Sequence, residues 1–296
     1  MTEVVNYDVF VDEIGTITSP ETVEHYGYGF FAIDHRAADG VSALVAKRWH
    51  SGMHLQSWHK DRKEKNIRTA IGFLEDVPSA LMGATVITDQ GYLRKVFDEN
   101  LARHKEIERG NAATECRPEV RLPRELLQEH WVSSRMHLVY IAALASIVPM
   151  LTPFDRPICR VKITFWFGVA GNKEIFLRRF QELKESVMPK VWESLHQRRR
   201  NGTIPSEVTI DIQCGAIEGN DGNNLFGYAD IAQGIADHLY RQRFDSTHDL
   251  GVKLYDAARV LFARAPRLSG PIPTIKPGVY LIENMRTQRS SRGKLE

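Results

Sequence analysis

The chain is poor in cysteine. Its 296 residues hold three thiols, Cys116, Cys159 and Cys214, far apart and without a CxxC pair. That argues against a disulfide framework or a cysteine-rich zinc site, and a reducing compartment, the cytoplasm, is expected. Charge of one sign is also missing: 39 Lys and Arg stand against 37 Asp and Glu, a formal net of +2. Such a balance neither demands nor forbids a nucleic-acid partner. No apolar run is long enough to span a bilayer comfortably. The longest, Leu138 to Leu151, is interrupted by Ser146 and reads as a buried helix, so no membrane is expected. The opening MTEVVNYD carries acid early and has no basic-then-apolar leader pattern, so no secretory signal is expected. The HEXXH spacing is absent. Gly27 and Gly29 in YGYGFF lie inside a strand pattern, which makes a poor dinucleotide fingerprint. There is no helix-turn-helix, zinc-finger or RNP-like signature for reading a base sequence.

What remains is an ordinary balance of 43% apolar and 26% charged residues, enough for a sizeable core. β-Branched and aromatic runs mark strands at Tyr7 to Val11, 26–34 (YGYGFFAID), 80–89, Arg160 to Phe167 and Val208 to Gln213, with an edge strand at Gly278 to Ile282. The first two are expected to pair as a hairpin. Helical patterns cover 40–52, Lys60 to Leu74 (Ile67, Ile71 and Leu74 on one stripe), Asn172 to Gln197 with a kink at Pro189, Leu225 to Tyr240, and Asp249 to Arg264. Residues 92–150 read as a helical insertion with a loop at 110–123. CGAIEGNDGNN, from Cys214, reads as a loop. The order predicts one α/β domain over 1–265, a mixed sheet flanked by helices and opened by a hairpin. Residues 266–296 form an extension whose last eleven residues are expected to be disordered.

Acids at strand ends are the main chemical signal. Asp12 and Glu13 follow the first strand, where a carboxylate at the edge of a core needs hydrogen bonds or a cation. Asp211 lies inside VTIDIQ, on the strand face opposite Val208, Ile210 and Ile212; a solvated face explains it equally well. Asp230 is in the early turns of LFGYADIAQGIADHL, a helix rich in Ala and Gly and so suited to close docking. Carboxylates at such a junction suit Mg²⁺ or Mn²⁺, which take oxygen ligands and share substrate phosphates.

These motifs, in this order, resemble the DUF3800 family, for which an RNase H-like fold is expected. Asp12-Glu13-Ile14-Gly15 matches the family's Asp-Glu-Ser-Gly turn, with Ile14 in place of serine. The segment from Met53, with His54 and His59, is similar to its histidine-bearing segment, and VTIDIQ with LFGYADIAQGIADHLYR to its late strand and helix. The similarity spans roughly residues 7–243. It implies a metal-dependent nuclease or other phosphodiester hydrolase. Asp12, Asp211 and Asp230 are the implied Mg²⁺ or Mn²⁺ ligands, with Glu13 and His59 also catalytic and RNA or DNA as substrate. One departure stands out: the family carries an acid in the strand that here reads VKITFWFGV. The alternative is therefore a catalytically inactive RNase H-like protein that binds or assembles with a protein or nucleic acid. Lys60, Arg62, Lys63, Lys65 and Arg68, with Arg198 to Arg200, are candidate phosphate contacts, although solvated helix faces look the same. His130 and His137 lie seven apart on a helix face, which packing or solvent explains. YIAALASIVPML either completes the core or forms part of a homodimer interface.

Overall fold

The computed structural model describes residues 3–14, 25–49, 53–89, 142–152, 159–169, 208–218, 224–244, 249–265 and 272–283, with separate positions within 91–106 and 177–196. The His130 and His137 pair, the Arg198 to Arg200 cluster and the chain end lie outside these residues.

Strands β1 (Glu3–Ile14), β2 (Tyr26–Asp34) and β3 (Leu81–Ile87) form an antiparallel meander. β4 (Cys159–Val169) pairs parallel to β1, and β5 (Val208–Glu218) parallel to β4. Beyond β3 come β6 (Thr274–Lys276) and β7 (Val279–Ile282), giving the order β5-β4-β1-β2-β3-β7-β6. This is an α/β fold with an RNase H-like mixed sheet that begins with a β-hairpin.

Both faces of the central strands are covered, which is why β2 and β3 are apolar almost throughout rather than alternating. One face packs Val9, Val11, Tyr28 and Phe30 against helical residues 142–151, where Ala143, Leu144, Ile147 and Val148 are buried. The apolar stretch around Leu144 therefore completes the core. The other face packs Phe10, Ile14, Phe31 and Ile33 under four helices: α1 (His35–Arg48), α2 (Lys60–Gly72), α3 (Phe226–Gln242) and α4 (Leu250–Arg264).

Several boundaries differ from the sequence reading. β1 runs on to Ile14, so Asp12 and Glu13 lie inside a strand, held by pairing to β2. α1 starts at His35 because Asp34 caps it, its side chain accepting from the Arg36 amide at 2.9 Å. β5 continues through Glu218, because its ladder with β4 offers partners as far as Val169. β7 is an inner strand, since β6 pairs beyond it. Among the described residues no helix is long and apolar enough to cross a membrane.

Candidate functional site

Alternation along β1 sends Asp8, Phe10, Asp12 and Ile14 to the helix-covered face and Val9, Val11 and Glu13 to the other. Asp12 is paired across the ladder with Gly29 of β2. That glycine lies against α3: a Cβ there would stand 2.2 Å from the Gln233 amide nitrogen. Helix α3 therefore rests backbone to backbone on the sheet beside Asp12. Asp230, one turn before Gly234, is buried in α3 close to Asp12.

A second close contact orients Asp230. Gly227 and Gly234 leave room for the segment Met53 to Ser57; a Cβ on Gly227 would meet Met53 at 2.4 Å, and one on Gly234 would meet the tip of Leu55 at 2.4 Å. The segment thus lies along α3, and the Leu55 amide donates to Asp230 Oδ2 at 2.5 Å. Gln233 Nε2 donates a longer bond, 3.4 Å, to Asp230 Oδ1. On the β1 side, the Glu13 amide donates to Asp12 Oδ1 at 2.9 Å.

Electrostatically the pair is under-compensated. Burial pushes the Asp12 carboxyl up to about 7, and the charge of Asp230 pushes the same way, outweighing the Glu13 amide. Burial also raises Asp230, against the Leu55 and Gln233 hydrogen bonds and the more distant charges of His54 and Lys63. Two neighbouring acids, Asp230 buried and Asp12 half-buried, cannot both be charged cheaply without a cation between or beside them.

The remaining predicted residues are placed elsewhere. Glu13 is one residue from Asp12 and so points to the opposite sheet face. Asp211 shares the face of Asp12 but not its level. Asp12 lies one residue past the row Val11–Phe167–Ala216, whereas Asp211 lies five residues before Ala216 on β5. At about 3.3 Å per residue and two strand spacings, that is roughly 20 Å. Parallel pairing sets this separation, and it takes Asp211 out of any shared metal shell with Asp12. Among the described residues no three His, Cys, Asp or Glu side chains group around a common point. His59 is an exposed residue at the start of α2, with Nδ1 3.3 Å from Asp61, and does not reach the acids. His54 is exposed as well; its carbonyl accepts from the Ser57 amide and hydroxyl.

The position on β4 level with Asp12 is Gly168, so this row holds no acid. Phe226, the first residue of α3, covers it: a Cβ on Gly168 would stand 2.9 Å from the Phe226 ring. Two features were not read from the sequence: the placement of Lys63, named there only as a candidate phosphate contact, and the role of Asp8. Lys63, on α2, is drawn in toward Asp230; burial lowers its pKa and the acid opposes that. Asp8 is buried, accepts from Trp166 Nε1 at 3.1 Å, and lies 2.7 Å from His35 Nδ1. The i, i+2, i+4 spacing of Asp8, Phe10 and Asp12 was the signal for the second. Gly215 makes it possible, since a Cβ there would stand 2.2 Å from the Trp166 ring. No family model matches the chain, and no curated protein matches it either.

Proposed function

We propose that this chain is a metal-dependent phosphodiester hydrolase of the nuclease type, with Mg²⁺ or Mn²⁺ held by Asp12 and Asp230. The observation that carries the reading is the juxtaposition of half-buried Asp12 and buried Asp230 across the close β1–α3 contact, where each charge opposes the other and few hydrogen bonds offset them. A hard divalent ion fits this donor set, because one or two carboxylates with substrate phosphates make an ordinary Mg²⁺ shell. When bound, the ion would supply a water of lowered pKa and polarise the phosphoryl oxygens. The protein's own part is positioning. The Glu13 amide turns Asp12, and the Leu55 amide and Gln233 turn Asp230, so that each carboxylate keeps oxygen lone pairs for a further partner. Rigid elements on both sides fix the pair. The resemblance to the DUF3800 family supports the same reaction class.

A second reading, a noncatalytic binding protein on this fold, is favoured by Phe226 over Gly168 and by the distance of Asp211, which leave two acids where a fuller metal centre would have more. Hydrolysis of single- and double-stranded RNA and DNA with Mn²⁺ separates them. The hydrolase reading expects cleavage by wild type that the D12A/D230A double variant lacks. Equal, background-level rates in both contradict the hydrolase reading.

A further inference from the structure

A cavity of about 480 Å³ opens where α2, α3 and α4 meet, farther along α3 than Asp230. Helix α2 contributes Lys60 and Lys63, α3 contributes His238 and Arg241, and α4 contributes its first residues, Leu250 and Gly251. Three basic side chains thus line one half-open cleft, with Arg241 paired to Asp237. Their field is felt within it: burial lowers the pKa of His238, and Lys63 and Arg241 lower it further against Asp237.

Of the nearby acids, Asp237 offsets Arg241, and the others pair with cations outside the cavity lining. Asp237 is bonded to His25 at 2.6 Å and to Arg241 Nε at 2.9 Å; Asp249 pairs with Lys253 at 2.6 Å, and Glu64 with Arg68 at 2.9 Å. Among the described residues neither Lys60 nor Lys63 forms a salt bridge, although Lys60 acts electrostatically on Asp249 and Lys63 on Asp230. The α4 terminus adds to the same sign. Asp249 is its N-cap residue, but its side chain makes no capping bond, having turned to Lys253. The Val252 amide is taken by Gln242 Oε1 at 3.3 Å. Leu250 and Gly251, the first residues at the positive end of a 15-residue helix, line the cavity. Helix α4 comes this close because Gly251 lies against α3; a Cβ there would stand 2.9 Å from His238 and Leu239 backbone atoms.

We infer that this cavity is a phosphate-binding site, and that it takes a backbone phosphate of the polynucleotide that the acid pair acts on. The second half rests on the hydrolase reading. His238 lies eight residues beyond Asp230, about 12 Å along the helix at 1.5 Å per residue. A phosphate here would therefore be separate from the one at the acids. It would hold the strand in place without taking part in the chemistry. The same chemistry would also accept a free phosphate or a nucleotide, and the test separates the two sources.

Binding of fluorescein-labelled single-stranded 12-mers of DNA and RNA is followed by anisotropy in EDTA, so that no metal is needed, at 50 and 200 mM salt. Unlabelled inorganic phosphate and AMP serve as competitors. Wild type, Lys60→Glu, Lys63→Ala and D12N are compared, with circular dichroism as the check on folding. The site predicts that Lys60→Glu and Lys63→Ala weaken binding about three- to tenfold and flatten the salt dependence by about one lost phosphate contact. In EDTA D12N, which removes a carboxylate that repels phosphate, should bind no more weakly than wild type. Competition by phosphate or AMP at concentrations comparable to the 12-mer assigns the site to a free phosphate group; competition only at far higher concentrations assigns it to a strand. Folded Lys60→Glu and Lys63→Ala variants that bind all probes like wild type, or a wild type that binds none, overturn the site. A Mn²⁺ response lost in D12N while oligonucleotide binding persists keeps the two claims apart, as does the converse pattern.

Discussion

Asp12 and Gly29 are direct partners across the β1–β2 ladder, and the missing side chain of Gly29 is what lets α3 come down beside Asp12. A Cβ at Gly29 would meet backbone atoms of Gln233, at 2.2 Å from the nitrogen and 2.7 Å from Cα, and backbone cannot step aside. Gly29→Ala should therefore cost about 3–5 kcal/mol by lifting the helix. Gly234→Ala presents its Cβ to the flexible end of Leu55, and the Ala gains helix propensity, so its effect should stay within about 1 kcal/mol. Urea denaturation of the two variants checks the contrast; equal losses would mean that α3 does not depend on Gly29 for its seat.

Replacing Asp230 with Asn removes one of two facing acids while leaving an oxygen to accept from the Leu55 amide. In EDTA near pH 8 the variant should melt slightly higher than wild type. In Mn²⁺ it should lose the rise in Tm that wild type shows. If Asp230 is instead only a structural acceptor, Asn should destabilise by about 1–3 kcal/mol, and Mn²⁺ should move neither protein. Thermal melts of both proteins under both conditions decide.

The acid pair also sets a pH dependence. The Asp12 carboxyl is raised from 3.8 to about 7 in the folded chain, by burial first and by Asp230 second. A carboxyl with a raised folded pKa holds its proton more tightly in the native state. Its contribution is fully present below the unfolded value and is lost as pH rises through the folded one. Without metal, stability should therefore fall between about pH 4 and pH 7, by on the order of 2–4 kcal/mol. D12N should flatten that part of the profile, and urea melts from pH 4 to pH 8 in EDTA test it. Parallel profiles for wild type and D12N would rule out Asp12 as the source.

Asp211 and His59 should be silent in the same assays. Asp211 is on the wrong row of β5, and His59 is exposed at a helix start. Asp211→Ala and His59→Ala should each change stability by no more than about 0.5 kcal/mol and leave the Mn²⁺ shift intact. Loss of the Mn²⁺ shift in Asp211→Ala would place that acid in the metal shell after all.

The sheet was legible because its strands are dense β-formers bounded by turns. YGYGFFAID was delimited residue for residue, and the helix expected over Leu225 to Tyr240 to within one residue at its start and two at its end. Asp12 stood out as an acid at the end of an apolar strand, and Asp230 as an acid between apolar neighbours in a tightly packing helix. What could not be read was register. Alternation put Asp211 on the correct face, but its level along the sheet depends on how β4 and β5 align with β1, a nonlocal property. Glu13 next to Asp12 looked like a partner until β1 proved to extend through both, sending them to opposite faces. The cavity of Lys60, Lys63 and Arg241 assembles from three helices, so only the two lysines were visible beforehand, as part of a charged stripe.

The most direct test of the central claim is calorimetric titration of Mn²⁺ into metal-free protein near pH 8, comparing wild type with D12N, D230N and D211N. The account predicts one saturable site in wild type and D211N, absent from D12N and D230N. A wild type with no saturable heat, or D12N and D230N titrating like wild type, would contradict it.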